Sequence, residues 1–272
     1  MTAAYDAVLG FRSAMWAVAS LEQGDGMIVY PQLYLKAAGE SIVLALVLSW
    51  ILTAIYHPDT IAANKLKNVV GYNNPCVGWD FPPAVYVALP LTVMCSYFSW
   101  RYANLDGILT GIVWSGNGRP RWTAVLCVVT DYAYGISTTL LPLLFILGPT
   151  DENWPVHTAI FVQWIFFRYF VVLSNILEAS WDGIPVAPYI KVFAWVYGII
   201  SCSLPLIYLY AGLVYIYEGR TGLDPPIPWW FTWSVDYGWF VCVCITPFCL
   251  PPTKVLHVAY SVHDGGATDR FI

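Results

Sequence analysis

The chain has 272 residues, of which 58% are hydrophobic and only 11% charged. A soluble domain carries roughly a quarter charged residues, so this composition excludes a water-coated globule and fits a surface that faces lipid. The net charge of −5 with no Lys/Arg run excludes nucleic acid as a partner, and membrane lipids are the expected surroundings.

Chain order begins with an N-terminal arm, residues 1–39. Tyr5 to Ser20 is too short to cross a membrane and carries Asp6 and Arg12, so it reads as an interfacial helix or a cytosolic arm. No basic n-region of a cleaved signal precedes it, and insertion is expected to be driven by the spans themselves. A span needs about 20 mostly apolar residues. Six segments qualify, at roughly 40–57, 83–103, 122–148, 155–178, 190–217 and 230–250. The expected fold is therefore all-α: a polytopic membrane helical bundle of about six transmembrane helices over 40–250, with a cytosolic tail at 251–272. Between the first two spans lies a long loop, Pro58 to Pro83, with an Asn73-Asn74-Pro75 turn and a Pro82-Pro83 stop. Six cysteines lie in apolar segments and Cys76 lies in this loop. That distribution reads as small buried hydrophobes rather than a disulfide framework.

Basic residues set the orientation. With six spans, one side holds Arg12, Lys36, Arg101, Arg119, Arg121, Lys191, Lys254 and Arg270, and the other only Lys65, Lys67 and Arg220. The positive-inside bias then puts both termini in the cytosol.

Ionisable groups inside spans cost a few kcal/mol each by insertion scales, so each needs a reason. In the fourth span His157, Trp164, Arg168 and Asn175 are spaced by 7, 4 and 7 and fall on one helix face, which should look into the bundle. Arg168 and Asp131 of the third span have matching depths, and a buried Asp131–Arg168 ion pair is expected. Asp236 either lines a path or sits at the interface. His57 and His157 share one leaflet near Asp59, Asp151 and Glu152, but their spacing matches no metal-ligand motif. No cofactor motif occurs, so neither a metal nor a cofactor is expected. His257 and His263 belong to the tail. Protein partners within the membrane stay open.

Several short motifs are shared in order with a known family. Tyr34-Leu35-Lys36-Ala37-Ala38 leads into the first span, and Leu89-Pro90-Leu91-Thr92 opens the second. Val129-Thr130-Asp131 lies in the third, and Asn153-Trp154-Pro155-Val156-His157-Thr158 opens the fourth. Over roughly residues 30–260 this resembles the rolling stone-like membrane proteins and, more remotely, the androgen-induced family of fatty-acid-ester hydrolases. The resemblance implies a six-helix intramembrane core in which Thr92 is the nucleophile and His157 its base, cleaving lipid esters. The chemistry is coherent, because a threonine hydroxyl becomes nucleophilic when an imidazole within hydrogen-bond reach takes its proton. The alternative is a non-enzymatic multi-span protein acting in membrane fusion or adhesion, or as a subunit of a larger membrane complex.

Overall fold

The computed structural model describes residues 13–22, 28–64, 67, 70–79, 81–117, 120–147, 153–218, 227–251 and 256–257. The first part of the expected interfacial helix, Tyr5 to Arg12, and the tail beyond His257 lie outside the described residues, as do Asp151 and Glu152.

The fold is an all-α helical bundle. Its long helices are α2 (Pro31–Tyr56), α4 (Ala84–Asn117), α5 (Arg121–Leu140), α6 (Trp154–Trp181), α7 (Pro188–Glu218) and α8 (Trp229–Ile245), with short α1 (Ala14–Glu22) and α3 (Pro58–Ala62). Proline marks the starts: Pro31, Pro58 and Pro155 stand at N1 or N2, α7 opens on Pro188, and Pro120 and Pro228 cap α5 and α8. Its missing N–H is an orphan at that position anyway, and its fixed φ suits the first turn.

Four helical segments are long and apolar enough to cross a membrane: Pro31–Tyr56, Arg121–Phe145, Pro155–Trp181 and Pro188–Glu218. This is a membrane protein. Consecutive helices pack side by side from α2 through α4, α5, α6 and α7 to α8, and α8 returns to α2, closing a ring. The first half of α2 is the most enclosed part, because from Pro31 to Ile42 only Lys36 and Glu40 escape full burial. The expected start of the first span at residue 40 therefore falls inside this helix. Small residues at Ala37, Ala38 and Gly39 let neighbours approach, as membrane helix contacts require.

Three-residue and five-residue 3-10 turns finish two helices. α5 gives way to a turn at Leu141–Phe145 because Pro142 cannot donate to the Thr138 carbonyl. That oxygen instead accepts from the Leu141 N–H and from Ser96 Oγ at 2.6 Å, so this carbonyl is not left bare inside the bundle. α8 runs on through Thr246–Phe248.

The loop between α2 and α4 is not a surface excursion. Its 3-10 turn Pro75–Trp79 is buried at every residue and packs on α2 as a plug. Trp79 meets Phe145 and Phe161 edge-on, each at 5.8 Å between ring centroids. Trp50 Nε1 donates to the Pro75 carbonyl at 2.5 Å, and Thr53 Oγ1 donates to the Gly78 carbonyl. Gly78 is required there, since a Cβ would fall 2.9 Å from the Trp50 backbone. Cys76, in this loop, is buried and donates its S–H to Asn74 Oδ1. At the other end Ile28–Val29 and Leu256–His257 form a two-residue antiparallel ribbon, and Glu40 accepts the Met15 N–H at 2.9 Å, holding α1.

Candidate functional site

The expected inward stripe on α6 is present: His157, Trp164, Arg168 and Asn175 are all buried. What each one touches differs from the sequence expectation.

Thr92 and His157 are not hydrogen-bonded to each other among the described residues. Thr92 lies on α4 just after Pro90, and its hydroxyl donates to the Leu89 carbonyl at 2.8 Å and makes no hydrogen bond to His157. A helix threonine satisfied by its own preceding turn is the common arrangement in membrane helices. His157 Nδ1 lies 3.0 Å from the Leu147 carbonyl, at the end of the turn that follows α5. A carbonyl can only accept, so the imidazole donates to Leu147 through Nδ1, and the Leu144 carbonyl is a second backbone acceptor beside the ring.

The expected Asp131–Arg168 ion pair is also replaced. Arg168 Nη1 donates to the Tyr134 hydroxyl at 3.0 Å and weakly to the Leu35 carbonyl at 3.5 Å, and the guanidinium lies 5.6 Å from the Tyr134 ring centroid. The cause is register. α6 continues to Trp181, beyond the expected end at residue 178, so Arg168 is deeper by about one turn, roughly 4.5 Å. Tyr134 follows Asp131 by one turn on α5, so it meets the arginine instead.

Asp131 belongs to a second polar centre nearer the α4–α5 end. A one-way series of donors runs into it: Gln32 Nε2 to Asn175 Oδ1 at 3.1 Å, Asn175 Nδ2 to the Tyr102 hydroxyl at 2.6 Å, and Tyr102 to Asp131 Oδ1 at 3.3 Å. The carboxyl groups of Asp106 and Glu178 neighbour Asp131, and Thr110 Oγ1 donates to Glu178 at 2.8 Å. All of these side chains are buried. Tyr102, Asp106 and Thr110 recur every four residues on α4, a helical face that the sequence analysis passed over because it runs past the expected end of that span at 103.

Asp236 forms a third centre. It is fully buried on α8. Its Oδ2 accepts from Asn74 Nδ2 at 2.6 Å, from the Tyr72 hydroxyl at 2.8 Å and from the Tyr208 hydroxyl at 3.2 Å. Asn74 also donates to Tyr208. Burial, then the neighbouring Tyr208 hydroxyl and Asp236 carboxyl, push the Tyr72 phenol well above its usual range, so Tyr72 stays a donor. This carboxylate thus ties the plug to α7 and α8.

Around Arg168 the balance is reversed, with donors in excess. Only its Nη1 is bonded; Nε and Nη2 have no partner, and neither do Trp164 Nε1, the Tyr197 hydroxyl, Ser201 Oγ or Trp239 Nε1, all buried. The Tyr197 hydroxyl neighbours the guanidinium. The Trp164 and Trp239 rings meet edge-on at 5.3 Å. Nη2 lies against Gly39, where a Cβ would come within 2.6 Å of it. Gly39 also lines a pocket of about 220 Å³ between α1, α2 and α8, with Leu33, Lys36, Glu40, Val43, Val243 and Phe248.

Among the described residues, no three His, Cys, Asp or Glu side chains come together in an arrangement that could hold a metal ion. The chemistry these centres offer is hydrogen bonding and charge, with acceptors gathered at Asp131 and Asp236 and donors at Arg168. Comparison of the chain with family models, with curated proteins and with solved structures found no match.

Proposed function

We propose that this chain crosses the bilayer six times with both termini in the cytosol, and that it is a non-enzymatic membrane protein. Its role would lie in contacts within the membrane, as a helical subunit of a larger complex or in fusion or adhesion.

Six crossings are supported by the exposed aromatic side chains. Tyr56, Tyr86, Tyr217, Trp229 and Trp230 stand at one set of helix ends, and Trp122, Tyr189 and Trp195 at the other. Tyr217 and Trp195, at opposite ends of α7, are 82% and 76% exposed. Between the two sets the exposed surface is apolar, mostly aliphatic with Leu48, Val93, Val129, Ile199 and Leu206, and interrupted by Tyr97, Phe166 and Tyr210. Interfacial belts have this form. They include α4 and α8, and α8 with its 3-10 turn is about 31 Å long, enough to cross.

The single observation that favours a non-enzymatic role is the Thr92 hydroxyl, which is committed to the Leu89 carbonyl. A hydrolase is the second reading. The fixed, buried imidazole of His157 near the start of α6 supports it, since a positioned histidine is the usual general base. It would require Thr92 to leave its own helix, and the rolling stone-like resemblance would then extend to chemistry.

Fluorophosphonate labelling of the purified protein separates the two readings. The expected result is no labelling that depends on Thr92 or His157. Labelling lost in both Thr92→Ala and His157→Ala would establish the hydrolase. Protease protection of tags at residues 2 and 272 tests the topology, and tags on opposite sides would mean an odd number of crossings.

A further inference from the structure

The donors around Arg168 have a geometry that selects a ligand. A guanidinium has two edges that can grip a pair of oxygen atoms. Here the Nη1 side is spent on Tyr134 and Leu35, while the Nε–Nη2 edge has no partner. Two parallel N–H groups on one edge match the two oxygens of a carboxylate, and such bidentate pairs are the strong, oriented form of charge-assisted hydrogen bond. Buried donors are nearly always satisfied in folded proteins, so several on one interior face call for an acceptor that belongs there.

We propose that the Nε–Nη2 edge of Arg168, assisted by the Tyr197 hydroxyl, binds the carboxylate of a monoanionic ligand in the middle of the bundle. Trp164 Nε1 and Trp239 Nε1 are further donors on the same interior face, and their rings offer an apolar wall. Tyr134, Tyr197 and Gly39 come from three different helices, so the guanidinium is held at the centre rather than snorkelling to an interface. Gly39 is the point where this centre meets the α1–α2–α8 pocket. Lacking a side chain, it lets Nη2 lie against α2, and it lines the pocket beside Leu33, Val43 and Val243 as well as Lys36 and Glu40. A carboxylate with an apolar body fits the pairing of the guanidinium edge with the Trp164 and Trp239 rings. The site shares no residue with the Thr92–His157 question, so the labelling result above does not bear on it.

Two sources supply the same chemistry: a small free carboxylate, or the head of a long-chain fatty acid drawn from the bilayer. Equilibrium binding of radiolabelled acetate and of radiolabelled oleate to the full-length protein in nanodiscs separates them, with tryptophan fluorescence followed in parallel because Trp164 and Trp239 lie at the site. Saturable binding of either ligand, with a fluorescence change at the same midpoint, is the expected result. Acetate binding identifies the free anion, and oleate binding without acetate binding identifies the lipid. Arg168→Lys, which keeps the charge and removes the fork, should weaken binding by about tenfold or more. Tyr197→Phe should weaken it about fivefold, one hydrogen bond's worth. If Arg168→Lys does not yield a monodisperse protein, Tyr197→Phe and Trp239→Phe carry the test, since each removes a polar atom that has no partner in the fold. The proposal is overturned if neither ligand binds saturably, or if binding is unchanged in the variants that fold.

Discussion

The partner of Arg168 can be decided by a double-mutant cycle on Arg168→Gln with Tyr134→Phe, set beside one on Arg168→Gln with Asp131→Asn. Tyr134→Phe removes only the hydroxyl that accepts from Nη1 at 3.0 Å, and it keeps the ring 5.6 Å from the guanidinium. Hydrogen bonds to charged groups contribute about 1.5–3 kcal/mol in soluble proteins. Inside bilayers, measured couplings average about 0.6 and reach about 1.7 kcal/mol, because the unfolded chain also finds partners. A buried bond of ordinary length with a charged donor belongs in the upper part of that range, so a coupling of about 1–2 kcal/mol is expected. Asp131 shares no hydrogen-bond partner with Arg168, since its Oδ1 accepts from Tyr102. Its coupling should stay within about 0.5 kcal/mol, as for side chains without a shared contact. Reversible unfolding in bicelles, read for the four variants of each cycle, provides both numbers. A coupling above about 1 kcal/mol for Asp131 with a negligible one for Tyr134 would refute the observed register and restore the ion pair.

Gly78→Ala should lower the thermal midpoint by about 5–10 °C, from overpacking of about 1–3 kcal/mol, because the Trp50 backbone at 2.9 Å cannot yield. Gly111→Ala, with nothing within 4 Å of its Cβ, should be neutral or slightly stabilising through helix propensity; equal behaviour of the two variants in a thermal scan would dismiss the plug. Asp236→Ala strands the donors of Tyr72, Asn74 and Tyr208, so the plug should loosen and Cys76 should become reactive to maleimide in a protein whose other cysteines are replaced. A Cys76 that stays unreactive would show that this carboxylate does not hold the plug.

The class of the protein was legible from composition and apolar runs, because a helix that must satisfy every backbone group within itself writes its length directly into the sequence. Some helix starts were legible too: the spans read from 155 and 190 begin at Trp154 and Pro188, whereas the span read from 40 lies in a helix that begins at Pro31, because Tyr34 to Ala38 looked like an approach to it. The inward stripe of α6 followed from spacing alone, since angular position around a helix is a local property. Partner choice was not local. Arg168 meets Tyr134 rather than Asp131 because one extra turn of α6 before Trp181 shifts the register between neighbouring helices. The burial of Pro75–Trp79 depends likewise on Gly78 fitting against Trp50, and the burial of Asp236 on Tyr72 and Asn74 returning into the bundle. Such contacts join residues more than twenty positions apart, and only the packed bundle brings them together: a one-turn change in any helix end rearranges them while leaving the hydropathy of each segment the same.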